Sequence, residues 1–386
     1  MIACNRRDLL KSVVMAGGLG VQLSARGANA GYAYVGCFTT AERQGRGDGI
    51  DVYRMEPETG ALTHVQHVGN LMNPSFLILS RDQRFLYSVH GDGTYASSFA
   101  VDRNTGYLTS LNRAATGGSN GVHLAIDASG KFLLVANYST GTVGVLHLEP
   151  DGKIQDHVQL MALQSHLGSQ RVEKSSSNPH QIVFDPSGRF VLVPDKGLNR
   201  VFVFHFDSTN GRLTPTGQSS TVDPTFSAPR HLAFHPSRPI IWVLNESAST
   251  ATTCRWDPAH GTLQPLQVVP TLPSEFKGHS TAAEIAVLSN GRFVYSSNRG
   301  HDSIAIYSTD PNTGLLKSVG WVPTQGNGPR FISLDPSQRF LYAANELGST
   351  IVTYRVDPET GHLTPTGHKV ASPSPVTITF LTQRPA

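Results

Sequence analysis

The sequence predicts an all-β fold, a seven-bladed β-propeller whose blades are four-stranded antiparallel sheets. The first observation is a repeat, seen most completely as Asp-Pro-Glu-Thr-Gly-His-Leu-Thr-Pro at 357–365. Its glycine recurs at intervals of 46 to 59 residues, which suit one propeller blade each. The second observation is composition, since 37 Gly and 24 Pro in 386 residues favour many short strands joined by tight turns. The repeat glycines are Gly60, Gly106, Gly152, Gly211, Gly261, Gly314 and Gly361.

A second repeated phrase divides each repeat into strands. A turn such as Asp-Pro-Ser-Gly-Arg-Phe at 185–190 follows a short apolar strand, and a second strand begins at its phenylalanine. A third strand, the turn with the repeat glycine and a fourth strand then complete the blade. The first strand of a propeller blade lines the central channel. The predicted inner strands are 75–79, 122–126, 180–184, 230–234, 283–287, 330–334 and 376–380.

The two ends of the repeat region are predicted to share one blade. From Tyr32 the first repeat has strands two to four without an inner strand, whereas 376–380 is an inner strand with nothing after it. Pairing these segments closes the ring and removes the free sheet edges that invite aggregation. Because blades are added without starting a new core, residues 31–386 are predicted to be one domain.

Residues 1–30 are predicted to be a twin-arginine-type signal peptide. Arg6 and Arg7 precede an apolar stretch at 12–23, and Ala28-Asn29-Ala30 offers a small-residue cleavage site. The apolar stretch is shorter than the roughly 20 residues of a membrane-spanning helix. We therefore expect export by the twin-arginine machinery (Tat), a periplasmic or secreted location, and no membrane attachment after cleavage.

Removing this segment also removes the positive charge of the chain. The formal net charge is +3, and residues 1–30 carry four basic side chains against one acidic side chain. A near-neutral domain gains little attraction to a phosphate backbone, which argues against nucleic-acid binding. Cys37 and Cys254 remain, too few for a disulfide framework, and are expected to be reduced structural residues.

Polar residues are predicted to gather at one mouth of the ring. The starts of the inner strands and the ends of the antiparallel second strands reach the same face. A residue that folding requires should recur in most blades, so the asparagines that end second strands are expected to form turns. The arginines of the turn phrase, Arg189, Arg292 and Arg339, are expected to be scaffold. The residues that break the repeat are His180, Arg230, Glu246, Glu284, Arg299 and Arg330.

These residues lie in phrases that resemble the seven-bladed lactonase family, which contains propeller-type 6-phosphogluconolactonases and carboxymuconate lactonizing enzymes. The phrases occur in the same order and blades, and the resemblance covers essentially the whole mature chain. They include Asn178-Pro179-His180, Ala228-Pro229-Arg230-His231, Asn245-Glu246, Ser297-Asn298-Arg299 and Gly328-Pro329-Arg330.

The resemblance implies catalytic roles for four residues. These are His180, Glu246, Arg230 and Arg299. When the seven predicted inner strands are aligned with one another, further polar residues fall at the same two starting positions as His180 and Arg230. The candidates for substrate binding among them are Glu284, Arg330, His123 and His231. Two departures from the family pattern, His90-Gly91 and the proline-free segment 120–123, bear on substrate fit.

The function implied by the resemblance is that of a lactone hydrolase, similar to 6-phosphogluconolactonase, opening a sugar-acid lactone by general acid/base-activated water. Glu246 or His180 could accept the proton of the water, while Arg230 and Arg299 hold an anionic substrate and the developing oxyanion. The sequence has no Gly-x-Ser-x-Gly, His-Glu-x-x-His or Cys-x-x-Cys-His motif, which argues against a serine hydrolase, a zinc peptidase and a covalent haem protein.

Several alternatives remain open. A carboxymuconate-type lactonizing enzyme would be a cycloisomerase, and a non-catalytic propeller would use the same mouth to bind a ligand or a protein. Glu246, Glu284 and neighbouring Asn carbonyls offer ligands to a divalent metal. No cofactor is expected, however, because the nearby arginines would compete with a metal cation. Export argues against a phosphorylated substrate of cytosolic sugar metabolism, and the oligomeric state is left open.

Overall fold

The computed structural model describes residues 31–163, 176–223 and 225–382, which form seven four-stranded antiparallel sheets arranged as a propeller. The signal-peptide prediction falls on residues outside these ranges. Blade 1 contains β1 (Gly31–Cys37), β2 (Ile50–Met55), β3 (Leu62–Val68) and the C-terminal strand. Blade 2 contains β4 (Pro74–Leu79), β5 (Phe85–His90), β6 (Tyr95–Val101) and β7 (Leu108–Ala115). Blade 3 contains β8 (Gly121–Ile126), β9 (Phe132–Asn137), β10 (Thr142–Leu148) and β11 (Ile154–Ala162).

The remaining four blades follow the same order of strands. Blade 4 contains β12 (Val183–Phe184), β13 (Phe190–Asp195), β14 (Arg200–Asp207) and β15 (Arg212–Ser220). Blade 5 contains β16 (Pro229–Phe234), β17 (Ile240–Asn245), β18 (Thr250–Asp257) and β19 (Thr262–Pro270). Blade 6 contains β20 (Thr281–Val287), β21 (Phe293–Arg299), β22 (Ser303–Thr309) and β23 (Leu316–Pro323). Blade 7 contains β24 (Pro329–Leu334), β25 (Phe340–Asn345), β26 (Thr350–Val356) and β27 (Leu363–Ala371), and β28 (Pro375–Leu381) completes blade 1.

The ring is closed as predicted. β28 is the inner strand of blade 1 and pairs antiparallel with β1, with Tyr34 opposite Thr379. β28 also lies beside β4 and β24, the inner strands of the two neighbouring blades. Within the described ranges, no helix is long and apolar enough to cross a membrane.

The repeat glycine is needed for two physical reasons. Its φ is positive in all seven blades, between +67° and +85°, a region in which L side chains are strained. It also packs against the first or second residue of the second strand in the preceding blade. A Cβ added to Gly261 would lie 2.5 Å from the Phe190 ring. The repeat phrase therefore encodes blade-to-blade packing as well as a turn.

The turn-phrase arginines also join adjacent blades, which confirms that they are scaffold. Arg189 donates to the Pro258 carbonyl oxygen at 2.6 Å, and Arg292 pairs with Glu359 at 2.9 Å. Each of these contacts reaches the turn that carries the repeat glycine of the next blade. Apolar side chains fill the space between neighbouring blades, and Cys254 is buried in one of these clusters, against Trp256 and Phe190. Cys37 and Cys254 are both buried free thiols, as expected.

Candidate active site

A β-bulge near the start of each inner strand re-aims side chains towards one mouth of the ring. In blade 5, Pro229 pairs with Asn245 and His231 pairs with Leu244, so Arg230 is an extra residue without a partner. Blades 1, 2, 3 and 7 have the same irregularity, while blades 4 and 6 also have one more residue on the inner strand than on its partner. Bulges commonly redirect side chains beside active sites. In six blades a residue at this bulge lines the mouth, and these residues are Ser75, Val122, His180, Arg230, Arg330 and Val376.

The residues that follow the second strands reach the same place. Asn137, Asn298 and Asn345 lie at or one residue before the end of their strands and are fully buried. They donate to the carbonyl oxygens of Thr116, Thr271 and Thr324 in the loops that approach them. These asparagines are structural, as expected, although they bind the incoming loop more than their own turn. In five of the seven blades the next residue faces the mouth instead, and these residues are Phe38, Tyr138, Lys196, Glu246 and Arg299.

Together these two sets enclose a cavity of about 210 Å³, which we call the mouth pocket. Six of the eight predicted site residues line it. These are His180, Arg230, His231, Glu246, Arg299 and Arg330. The remaining lining consists of Phe38, Arg43, Ser75, Phe76, Asn120, Val122, Tyr138, Lys196, Phe331 and Val376.

Glu246 lies at the centre of a cluster of cations. Its Oε1 accepts from Lys196 Nζ at 2.7 Å and lies 3.2 Å from Arg299 NH2, while its Oε2 accepts from Arg230 NH1 at 2.9 Å. Burial alone would raise the pKa of Glu246, but Arg230, Arg299 and Lys196 outweigh burial and hold that pKa well below its ordinary value. Glu246 is therefore a fixed anion, and each of its two oxygens is held by at least one cation.

Lys196 is a pocket residue that was not among the predicted site residues. It follows β13 in the same way that Glu246 follows β17, and its Nζ also lies 5.5 Å from the centre of the Tyr138 ring. Burial lowers the pKa of Lys196, and the contact with Glu246 opposes this effect. Lys196 breaks the repeat as clearly as Glu246 does, so the criterion that selected the other site residues should have included it.

A second group of charges lies on the opposite wall, around Phe38. Arg330 and Arg43 place their guanidinium carbons 4.9 Å and 5.3 Å from the centre of the Phe38 ring. Arg330 NH1 lies 3.5 Å from Glu346, and Arg43 binds Asp92 with two hydrogen bonds. Arg43 belongs to a short 3-10 helix, Ala41–Arg43, between β1 and β2. In the described ranges no other blade has a helix between its second and third strands, so the repeat gave no signal for Arg43.

The pocket wall also contains a neutral imidazole beside a cation. His180 Nε2 lies 2.6 Å from Arg230 NH1, and Arg230 Nε donates to the Ala283 carbonyl oxygen at 2.6 Å. Burial, reinforced by the charge of Arg230, holds the pKa of His180 well below its ordinary value. His180 is therefore unprotonated at neutral pH and carries a lone pair at the edge of the pocket.

The other two predicted substrate-binding residues, His123 and Glu284, do not line the mouth pocket. The His123 ring packs against Phe76 with 3.9 Å between ring centres and against His231 with 5.6 Å. Glu284 Oε1 accepts from His231 Nδ1 at 2.8 Å. Both residues therefore stand behind the lining, one layer further into the channel. In the described ranges, no three His, Cys, Asp or Glu side chains are grouped as metal ligands.

Comparison with known proteins gives consistent matches over almost the whole chain. A family model described as lactonase, 7-bladed beta-propeller, matches residues 32–380. The 6-phosphogluconolactonase of Bacillus subtilis (strain 168) is 33% identical over 353 residues, which are 91% of this chain and 98% of that protein. The 6-phosphogluconolactonase of Formosa agariphila is 30% identical over 315 residues, covering 79% of this chain and 86% of that protein. Among solved structures, the periplasmic gluconolactonase of Pseudomonas aeruginosa has a TM-score of 0.83 at 27% identity and covers 92% of this chain and 99% of that chain.

Proposed function

We propose that this chain, which belongs to the seven-bladed β-propeller lactonase family and is a lactone hydrolase, opens an anionic sugar-acid lactone in the mouth pocket. The observation that carries this proposal is the convergence of five cationic side chains on a pocket that also contains a neutral imidazole. The cations are Arg43, Lys196, Arg230, Arg299 and Arg330.

The charge and size of the pocket support the substrate class. Glu246, Glu346 and Asp92 are the carboxylates paired with the five cations, so positive charge is in excess. A bound carboxylate or phosphate would balance this excess through charge-assisted hydrogen bonds. The cavity, at about 210 Å³, is smaller than the roughly 300–1,000 Å³ typical of pockets for drug-sized ligands. These properties favour a single sugar ring bearing an anionic group.

The proposed reaction uses His180 as the base. A water adds to the lactone carbonyl carbon as His180 Nε2 takes its proton, and Arg230 with Arg299 stabilises the oxyanion. The bond from that carbon to the ring oxygen then breaks, and the leaving oxygen takes the proton back from His180, which yields the hydroxy acid. Binding of the carbonyl oxygen draws Arg230 away from Nε2. General acid-base catalysis and one oxyanion donor are typically worth about 10²–10⁴ and 10²–10³ in rate.

Glu246 has a different role in this proposal. Its oxygens are occupied by Lys196, Arg230 and Arg299, and its lowered pKa makes it a poor proton acceptor. Glu246 instead holds the three cations together at short range, so that the oxyanion meets donors already in place. No step requires a metal ion or a cofactor.

Export supports a finer choice of substrate. Residues 1–30 have the order of an export signal, so the domain acts in the periplasm or outside the cell. There it meets lactones of sugar acids that carry a carboxylate more readily than phosphorylated intermediates. We therefore infer that a carboxylate-bearing sugar lactone is preferred over a neutral or a phosphorylated one.

The test is acid release from a panel of neutral, carboxylated and phosphorylated sugar lactones, corrected for spontaneous hydrolysis. The mature domain should open anionic lactones faster, with no change on adding a chelator. Glu246→Gln and His180→Asn should each lower kcat/KM by about 10² or more while the proteins stay folded. Unchanged turnover in both folded variants would refute the site. Loss of activity with chelator would refute metal independence, and binding or cyclisation without hydrolysis would favour the alternatives.

A further inference from the structure

Three residues of the inner strands form a hydrogen-bonded line that begins behind the wall of the mouth pocket, at Glu284, and ends on His180 in that wall. Glu284 Oε1 lies 2.8 Å from His231 Nδ1, and His231 Nε2 lies 3.2 Å from His180 Nδ1. His180 Nε2 then faces Arg230 NH1 at 2.6 Å. We call Glu284, His231 and His180 the imidazole line. All three side chains are buried, with 6% or less of each residue exposed.

The chemistry of the two ends fixes every proton in the line. An arginine guanidinium only donates, so His180 Nε2 must accept from Arg230 and the His180 proton must lie on Nδ1. His231 Nε2 therefore accepts from His180, and the His231 proton lies on its own Nδ1. That proton is donated to the Glu284 carboxylate. One pair of tautomers satisfies all the contacts, and it directs the lone pair of His180 Nε2 at Arg230 NH1 on the pocket wall.

The other blades argue against a purely structural need for this arrangement. The equivalent inner-strand positions of the other five blades hold Phe76, His123, Gln181, Phe331 and Thr377, so the ring packs there with side chains of several chemical types.

We propose that His231 and Glu284 are positioning residues for the reaction: they hold His180 in the tautomer whose Nε2 accepts the proton of water, and the Glu284 charge stabilises the imidazolium that forms. This inference rests on the proposed function. The water proton stays on His180 Nε2 until the leaving oxygen takes it, and the protons of the line stay on the two Nδ1 atoms. The arrangement is similar in logic to the acid that orients histidine in a catalytic triad.

The environment of the line determines the sign of its pH dependence. Removing the Glu284 charge would make imidazolium at His180 less stable. The activity loss at low pH, which comes from protonation of His180, would then move to lower pH. The charged and titratable groups that face the two rings are Arg230, Lys196, Arg330, Tyr138, His123, Glu284 and Glu246.

The kinetic test compares Glu284→Gln and His231→Gln with Thr377→Val, a matched change at the equivalent strand position outside the line. We expect the first two to lower kcat by about 10² with little change in KM, and the double variant to be no worse than either single one. The low-pH limb of kcat should move to lower pH in Glu284→Gln and return towards the wild-type position in Glu284→Asp. Thr377→Val should keep wild-type kcat. Folded Glu284→Gln with normal kcat, or with lowered kcat and an unmoved limb, would overturn the proposal.

A second measurement does not depend on turnover. Nitrogen-15 NMR of histidine-labelled mature domain should show His180 and His231 neutral with protons on Nδ1 at pH 7, and a folded Glu284→Leu variant, which has no acceptor for the His231 Nδ1 proton, should change this distribution. Protons on Nε2 in the wild-type protein, or no change in the variant, would overturn the positioning role. If the wild-type protein opened none of the lactones, the proposed function would fail, while the NMR result would still decide the tautomers.

Discussion

The two faces of the ring are built from the same hairpins, yet they use charge in opposite ways. On the turn face, Arg339 pairs with Glu58 of the next blade, and their side chains are 42% and 71% exposed. On the pocket face, Arg230 pairs with Glu246, and their side chains are only 4% and 13% exposed. The exposed pair joins neighbouring blades and has counterparts at other blade boundaries. The buried pair lies within blade 5, and its counterpart is Arg330 with Glu346 at the same positions of blade 7. The comparison teaches that charge recurring around the ring marks a folding requirement, while a buried charge cluster confined to part of one mouth marks a candidate binding site.

The largest expected effect tests this contrast with two similar substitutions. Arg230→Gln should lower kcat/KM by about 10²–10³, because it removes an oxyanion donor. Arg339→Gln should leave kcat/KM unchanged and lower stability slightly, since exposed ion pairs are worth only about 0–1 kcal/mol. Initial rates with the best lactone, and thermal unfolding of both variants, make the comparison. Equal losses of activity in both folded variants would contradict it.

A smaller effect tests what recurrence requires. Gly261→Ala should destabilise the domain by about 1–3 kcal/mol, because it combines a strained positive φ with a Cβ that meets the Phe190 ring. Gly217 is a matched control, since its φ is +74° and no atom lies within 4 Å of an added Cβ. Gly217→Ala therefore carries the backbone strain alone. Chemical unfolding followed by fluorescence measures both, and an equal loss in the two variants would exclude the blade-packing role.

The smallest effect concerns pH, to which the pocket face should be the more sensitive. Burial lowers the pKa of His123 and His180 below 6.5, and neighbouring cations lower the pKa of Glu246 below 4.5. In each case the unfolded chain binds the proton at a higher pH than the folded protein does. The contribution to stability is therefore fully present above the unfolded-state pKa values of 6.5 and 4.5, and it is lost as the pH falls towards the lower pKa values of the folded protein. The unfolding temperature should therefore fall between pH 7 and pH 4.

A pair of variants locates the source of that pH dependence. His123→Leu should flatten the decline between pH 6.5 and lower values, because it removes one buried imidazole. Arg339→Gln, on the turn face, should follow the wild-type profile. An unfolding temperature that is constant from pH 7 to pH 5, or an unchanged slope in His123→Leu, would contradict this assignment.

The fold could be predicted almost completely from the sequence because the phrases that mark strand and turn boundaries recur from blade to blade. The blades, the closure of the ring and the shared mouth are all as predicted. One detail differs, since β12 covers only Val183–Phe184 where the predicted strand began at His180. The extra residue in this inner strand interrupts the pairing, and a repeat pattern carries no information about such an irregularity.

The site could be predicted less completely, for reasons of geometry. Strand alternation orders side chains along one strand, but it does not tell how deep each lies in the channel. Glu284 and His123 were therefore grouped with pocket residues although they stand behind the wall. Lys196 fits the criterion of broken repetition and was overlooked. Arg43 lies in an insertion between β1 and β2, so the other blades offer no equivalent residue with which its type could be compared.

The closing of blade 1 also bears on how the protein is made. Phe38 follows the first strand and Val376 belongs to the last one, and both line the same pocket wall. A ribosome that has translated six and three-quarter blades has therefore produced every catalytic candidate but not an intact binding site. Until the final strand emerges, β1 presents an unpaired edge. We conclude that a nascent or C-terminally truncated chain has an incomplete pocket, and that competence for lactones is acquired only at the end of synthesis.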